Sequence, residues 1–104
     1  MWPGDEDGVH AGVRVDGELR AVGSMVREGD GWRIRGMATD PDWRGRGLGG
    51  LVLERLLTAA GGEPVWCQAR PRAVSLYERF GFERDGPPFD VPGLGPHQLM
   101  RLRR

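Results

Sequence analysis

Met37-Ala38-Thr39-Asp40-Pro41-Asp42-Trp43-Arg44-Gly45-Arg46-Gly47-Leu48-Gly49-Gly50 is the stretch that decides how the rest of the chain is read. It joins the end of an extended segment to a loop with glycine at 45, 47, 49 and 50 and arginine at 44 and 46. Glycine lets backbone N–H groups approach an oxyanion with no Cβ in the way. The helix expected from Leu48 adds unpaired N–H donors and the positive end of its dipole. Arg44 and Arg46 can contribute charge-assisted bonds. Together these features suit a diphosphate cradle. The segment is not a P-loop, because the lysine followed by Ser or Thr is missing. Nor does it match the dinucleotide fingerprint G-x-G-x-x-G, whose third glycine and preceding parallel unit are lacking. On its own it reads equally well as a flexible turn ahead of a helix.

Working upstream, Val9, Ala11, Val13 and Val15 alternate with other residues at the period of a half-buried strand. Asp16-Gly17 is a preferred hairpin pair. A second strand is expected from Leu19 to Arg27, followed by the turn Glu28–Gly31. A third, Trp32–Thr39, places Trp32, Ile34, Gly36 and Ala38 on one face. Three strands joined by short turns make an antiparallel meander.

Downstream, Leu48, Leu51, Val52, Leu56, Ala59 and Ala60 recur at helical spacing, and Gly61-Gly62 ends that helix. Val65–Gln68 reads as a short buried strand. Pro71 opens a second helix with Ala73, Leu76, Tyr77 and Phe80 on one face, stopped by Gly81. After Phe82, Gly and Pro interrupt the pattern until His97–Leu102, a last strand. The order is β-β-β-α-β-α-β, with room for two strands after the second helix. The expected class is α+β, a mixed sheet with two helices.

A chain of 104 residues with 38% apolar content holds one modest core, expected at 9–104, behind a loose end at 1–8. Fifteen acidic residues balance fifteen basic ones, all of them arginine, which argues against nucleic acid or an anionic membrane as partner. No apolar stretch is long enough to cross a bilayer, and the acidic start is unlike a signal peptide, so a cytoplasmic location is expected. Cys67 is the one cysteine, which leaves no intrachain disulfide; no metal is expected. On a short apolar strand beside Trp66 it reads as buried filler rather than a nucleophile. Trp32, Trp43 and Trp66 sit on separate elements and read as core and loop packing.

The run Met37–Gly49 closely resembles the acetyl-CoA segment of the GNAT N-acetyltransferase family, Arg/Gln-x-x-Gly-x-Gly/Ala, with Arg44, Gly47 and Gly49 at its fixed positions. Arg70–Phe82 is similar to that family's Ala-x-x-x-Tyr-x-x-x-Gly-Phe helix and strand. The resemblance runs from about Val9 to the C-terminus and is strongest from Trp32 to Phe82. It implies acetyl-CoA as cosubstrate and transfer of an acetyl group to a small-molecule or peptide amine. Backbone N–H groups from Arg44 through Gly45, Arg46, Gly47, Leu48 and Gly49 would hold the diphosphate. Met37, Ala38 and Thr39 would pair with the pantetheine arm, where the third strand splays from Val65–Gln68. Tyr77 matches the tyrosine that protonates the departing thiolate and lines the same site.

Arg70 stands where several members carry Asn at the start of the second helix, a coenzyme-side position. No carboxylate lies on Trp32–Thr39, where some members place a base; the amine proton would then leave through ordered water or a group from elsewhere. His97, in a Gly-Pro-His-x-x-Met ending found in some small members, is a candidate for that group beside its reading as a structural histidine. The family's usual first strand and two helices have no counterpart before the meander, so a homodimer is expected to complete the acceptor pocket. The alternative reading is a CoA-holding regulatory or assembly module without turnover.

Overall fold

A computed structural model describes residues 8–103. The loose end expected at 1–8 lies outside these residues except for Gly8, which already belongs to the first strand. The meander is β1 (Gly8–Val15), β2 (Glu18–Glu28) and β3 (Gly31–Thr39). Asp16 and Gly17 take φ of 53° and 81°, the left-handed pair that turns a hairpin in register with strand twist. A 3-10 turn at Pro41–Trp43 leads through the glycine loop to α1 (Leu48–Ala60). Then come β4 (Val65–Ala69), a 3-10 turn at Pro71–Ala73 and α2 (Val74–Arg79). Three strands follow, not one or two: β5 (Glu83–Arg84), β6 (Phe89–Val91) and β7 (Gly95–Leu102). The two extra strands are two and three residues long, and Gly and Pro between them hide any alternation.

All seven strands share one sheet in the order β1-β2-β3-β4-β7-β5, with β6 paired to the start of β7. Only β3 and β4 run parallel, joined by the α1 crossover. This is the mixed α+β architecture that the sequence pattern suggests. Both helices lie on one face: α1 spans β1, β2 and β3, and Leu76 of α2 and Phe80, its C-cap, sit against Gly49 and Gly50 at the start of α1.

Leu48, Val52, Leu53, Leu56 and Ala60 of α1 are buried against Met25, Ile34, Val65 and Met100 of the sheet. Leu53, absent from the helical series as read from sequence, is fully buried, whereas Leu51 is 43% exposed. Each fully buried Leu or Met contributes about 1.5–3 kcal/mol. Close approach of helix and sheet depends on Gly23. A Cβ there would lie 2.6 Å from Val52 and 3.2 Å from Leu56.

The third strand departs from simple alternation. Ser24 pairs with Gly36 and Met25 with Ile34, so Arg35 is an extra residue in β3, a β-bulge. Trp32 and Ile34 therefore face the helices together with Met37, while Gly36 and Ala38 turn to the opposite face. The single face expected for Trp32, Ile34, Gly36 and Ala38 is corrected by this bulge. A one-residue insertion exchanges the faces of everything beyond it.

Candidate functional site

The bulge also marks where the sheet opens. β3 pairs with β4 only at Trp32↔Val65, Arg33↔Trp66 and Ile34↔Cys67. Beyond Ile34, Met37, Ala38 and Thr39 are held by β2 alone, opposite Gly23, Val22 and Ala21. β4 continues to Ala69 against β7. The two parallel strands thus part into a V whose left arm is the backbone of Met37–Thr39.

The loop after β3 is tied down at its root. Asp40 accepts the Asp42 N–H on Oδ1 at 3.1 Å, and its carbonyl accepts the Trp43 N–H at 2.8 Å, capping the 3-10 turn. Its Oδ2 accepts the Arg20 guanidinium at 3.0 Å, and its own N–H donates to the Arg20 carbonyl at 2.7 Å. Gly45 and Gly47 then take φ of 77° and 78°, a region that L side chains rarely enter. A Cβ on either would meet only open space. Gly47 is the N-cap of α1, whose first ladder bond runs from Leu51 N–H to the Gly47 carbonyl at 3.3 Å. The N–H groups of Leu48, Gly49 and Gly50 precede that ladder and point out of the helix start. Arg44 and Arg46 flank them, both exposed. Unpaired N–H groups and two exposed guanidinium groups thus lie together on one turn of backbone.

Tyr77 comes from α2 into the V. It is 6% exposed, and its hydroxyl donates to Met37 Sδ at 3.5 Å, reaching the left arm. Its ring stacks edge-on against Phe82, centroids 5.2 Å apart at 64°. Burial, with the Cys67 side chain close by, raises its ionisation well above the ordinary phenol value. Cys67 is itself buried, and that burial pushes its thiol up to about 12, only partly offset by the nearby Tyr77 hydroxyl. A thiol so shielded stays protonated, as suits a packing residue.

His97 lies at the start of β7, 7% exposed, opposite Phe89 of β6, whose ring centroid is 6.3 Å away. Its Nδ1 is 3.0 Å from the Gly95 carbonyl. In the tautomer where Nδ1–H donates to that oxygen, Nε2 keeps its lone pair. Met100 and Gln98 pair with Cys67 and Ala69 of the helix face. By alternation, His97 belongs to the face opposite Tyr77. The two residues are gathered at the same end of the sheet and are not in contact. Arg70 is exposed and caps the 3-10 turn before α2.

A cavity of about 420 Å³ opens on the helix-free face along β1–β3 and is lined by His10, Val22, Ser24, Gly36 and Ala38, among others. It borders the unpaired half of β3. Among the described residues, no three His, Cys, Asp or Glu side chains gather as a metal site, and no helix is long and apolar enough to cross a membrane.

Sequence reading missed two parts of this site. The bulge at Arg35 has no local signal, because an extra residue in a strand changes only the pairing. The arginines over the tryptophans were missed too: Arg27 over Trp32 at 5.0 Å, Arg33 over Trp66 at 5.3 Å, and both Arg20 and Arg46 over Trp43 at 4.9 and 4.4 Å. Arg27–Trp32 and Arg33–Trp66 are direct cross-strand partners, so the signal appears only once register is known.

The family model of the Acetyltransferase (GNAT) domain matches residues 5–104 of the chain. The chain belongs to the GNAT acetyltransferases. An uncharacterized N-acetyltransferase, YitI, of Bacillus subtilis is 34% identical over 105 residues, spanning 91% of this chain and 70% of that protein. The peptidyl-lysine N-acetyltransferase YjaB of Salmonella typhimurium is 33% identical, spanning 86% of this chain and 61% of the relative. Among solved structures, an acyl-CoA N-acyltransferase from Pseudomonas aeruginosa superposes with a TM-score of 0.81 at 27% identity, over 98% of this chain and 74% of that one. GNAT membership brings acetyl-CoA-dependent acyl transfer as the general class of reaction.

Proposed function

We propose that this chain transfers the acetyl group of acetyl-CoA to a primary amine by direct attack on the thioester. The observation that carries the reading is Tyr77, whose hydroxyl sits at the open half of β3, 3.5 Å from Met37 Sδ. The N–H groups from Arg44 to Gly49 hold the diphosphate, assisted by the Arg44 and Arg46 side chains and the α1 dipole. The unpaired edge of Met37, Ala38 and Thr39 hydrogen-bonds the amides of the pantetheine arm, as a strand would. Arg70, at the far lip of the V, is assigned to the coenzyme side.

In the transfer, the amine nitrogen bonds to the acetyl carbon and the carbon–sulfur bond breaks. Tyr77 gives its proton to the departing thiolate, and the ammonium proton passes to Nε2 of His97. A phenol whose ionisation is raised by burial remains protonated until that thiolate needs it. Tyr77 and His97 belong to opposite faces of the sheet, which suits a leaving group and an incoming amine on opposite sides of one carbonyl. The helix-free cavity beside Ser24 and Ala38 is the route for the acceptor. The Salmonella relative's name puts a lysine amine among the acceptors of such proteins, and a primary amine is the class proposed here.

The test is calorimetric titration of acetyl-CoA and CoA into wild type and Gly47→Trp, followed by thiol release with a panel of amines. Saturable binding that the variant loses, with thiol released only when an amine is present, is expected. Binding without turnover on any amine would leave a CoA-holding module; no binding by wild type would sink both readings.

A further inference from the structure

Among the described residues, Trp43 is the one tryptophan with two guanidinium groups over its ring, Arg20 at 4.9 Å and Arg46 at 4.4 Å. They differ in every other respect. Arg20 comes from β2, its Nε is shut away from solvent without an acceptor, and Asp40 holds its charge at 3.0 Å. Arg46 projects from the glycine loop and is exposed. Among the described residues it has no carboxylate within ion-pair distance, and its guanidinium rests on the indole. The ring itself is half-buried and packs against the core. A line of support therefore runs from β2 through Arg20 and Asp40 to Trp43, and from Trp43 to Arg46.

We propose that Trp43 is a positioning residue that presents the Arg46 guanidinium to a phosphate of the coenzyme; this rests on the function proposed above. A free arginine on a loop samples many rotamers, and fixing it on binding costs free energy. Stacked on an anchored indole, Arg46 is already confined near the α1 start. Two cations on one ring repel each other, and the Asp40 carboxylate offsets only Arg20. Arg46 is left as the uncompensated charge, next to backbone N–H groups that also seek an anion. A phosphate satisfies both; a neutral ligand satisfies neither.

The experiment measures CoA, dephospho-CoA and pantetheine binding, and S-acetylpantetheine turnover, in wild type, Trp43→Leu, Arg46→Gln and the double variant. Trp43→Leu and Arg46→Gln should each weaken CoA binding by about fivefold, the worth of one exposed cation–π or phosphate contact. The double variant should be no weaker than the poorer single one, since Trp43 acts through Arg46. In Trp43→Leu, turnover of S-acetylpantetheine, which carries no phosphate, should not change. A loss that persists with dephospho-CoA assigns the contact to the diphosphate, and one that disappears assigns it to the 3′-phosphate. Losses that multiply in the double variant, or a matching loss with S-acetylpantetheine, would overturn the proposal. Should Trp43→Leu fail to fold, Trp43→Phe supplies the arm: it weakens CoA binding about twofold in wild type, with its poorer π face, and has no effect in Arg46→Gln. A wild type that binds no CoA defeats the proposed function itself, before any variant is compared.

Discussion

From Trp32 to Ile34, β3 has a strand on either side; from Gly36 to Thr39 it has one. The first half carries Trp32 and Ile34 toward the helices, and the Trp32 N–H reaches across to the Pro64 carbonyl at 2.9 Å. At its lower corner Glu63 accepts from Arg27 at 2.7 Å and from the Trp32 indole at 3.3 Å, and these bonds hold its carboxyl below the ordinary range. The second half has no such fastening on its outer side. Instead Tyr77 and the root of the glycine loop stand beside it. One extra residue, Arg35, separates a half paired on both sides from a half left open along one edge. A bulge is an economical way to do this, because it bends the strand and changes its exposed face in a single step.

The sharpest way to break that comparison is Tyr77→Phe. The variant keeps the ring, its edge contact with Phe82 and nearly all the packing, and removes only the hydroxyl. If the open half is where the thiolate leaves, kcat should fall by about 100-fold, the lower range for a general acid, with the melting temperature little changed. An unchanged kcat would make Tyr77 a core residue and the V a structural accident.

Next in size is the closed half. A Cβ on Gly31 would stand 2.4 Å from the Pro64 carbonyl oxygen, a backbone atom with little freedom to move. Gly31→Ala should therefore destabilise the protein by about 1–3 kcal/mol, the usual cost of overpacking, as read by urea titration. Activity per folded molecule should persist, since the open half is untouched.

Alkaline pH sharpens the contrast in another way. Both buried acids at the V are shifted upward, Tyr77 above the ordinary phenol value of 10.0 and Cys67 from 9.0 to about 12. The native state keeps these protons longer than the unfolded chain does. Stability is therefore complete below pH 9 and declines as pH climbs from 9 toward 12, the window between the ordinary and the native thiol values. Tyr77 is the one tyrosine in the chain, so absorbance at the phenolate band reports on it alone. The phenolate should appear together with unfolding. A titration near 10 in a still-folded protein would mean that the V admits water freely.

How much of this was legible beforehand follows from where each signal is stored. The glycine loop, the helix it opens and the Tyr77 helix are local patterns, each complete within about a dozen residues, and they survive into the structure. The bulge is different. Arg33, Ile34, Arg35 and Gly36 alternate as any strand would, and only pairing with Ser24 and Met25 shows that Arg35 is supernumerary. Trp43 holding two arginines is likewise invisible, because Arg20 arrives from another strand. Site residues on one element could be read; the geometry between elements could not.

The smallest effect is also the closest control. Gly36 lies five residues beyond Gly31 on the same strand, and its backbone is not left-handed. A Cβ built there meets nothing within 4 Å. Gly36→Ala should therefore change stability by less than about 0.5 kcal/mol, or raise it slightly by restricting the unfolded chain. The same substitution, in the same strand, is costly on one side of Arg35 and silent on the other because only one side has a neighbour to collide with. If Gly36→Ala proved as damaging as Gly31→Ala, the outer half of β3 would be packed in solution, and no cosubstrate could enter beside it. If it is silent for stability yet raises KM for the amine and not for acetyl-CoA, the methyl is felt by the acceptor, and the helix-free face of β3 is where that acceptor approaches.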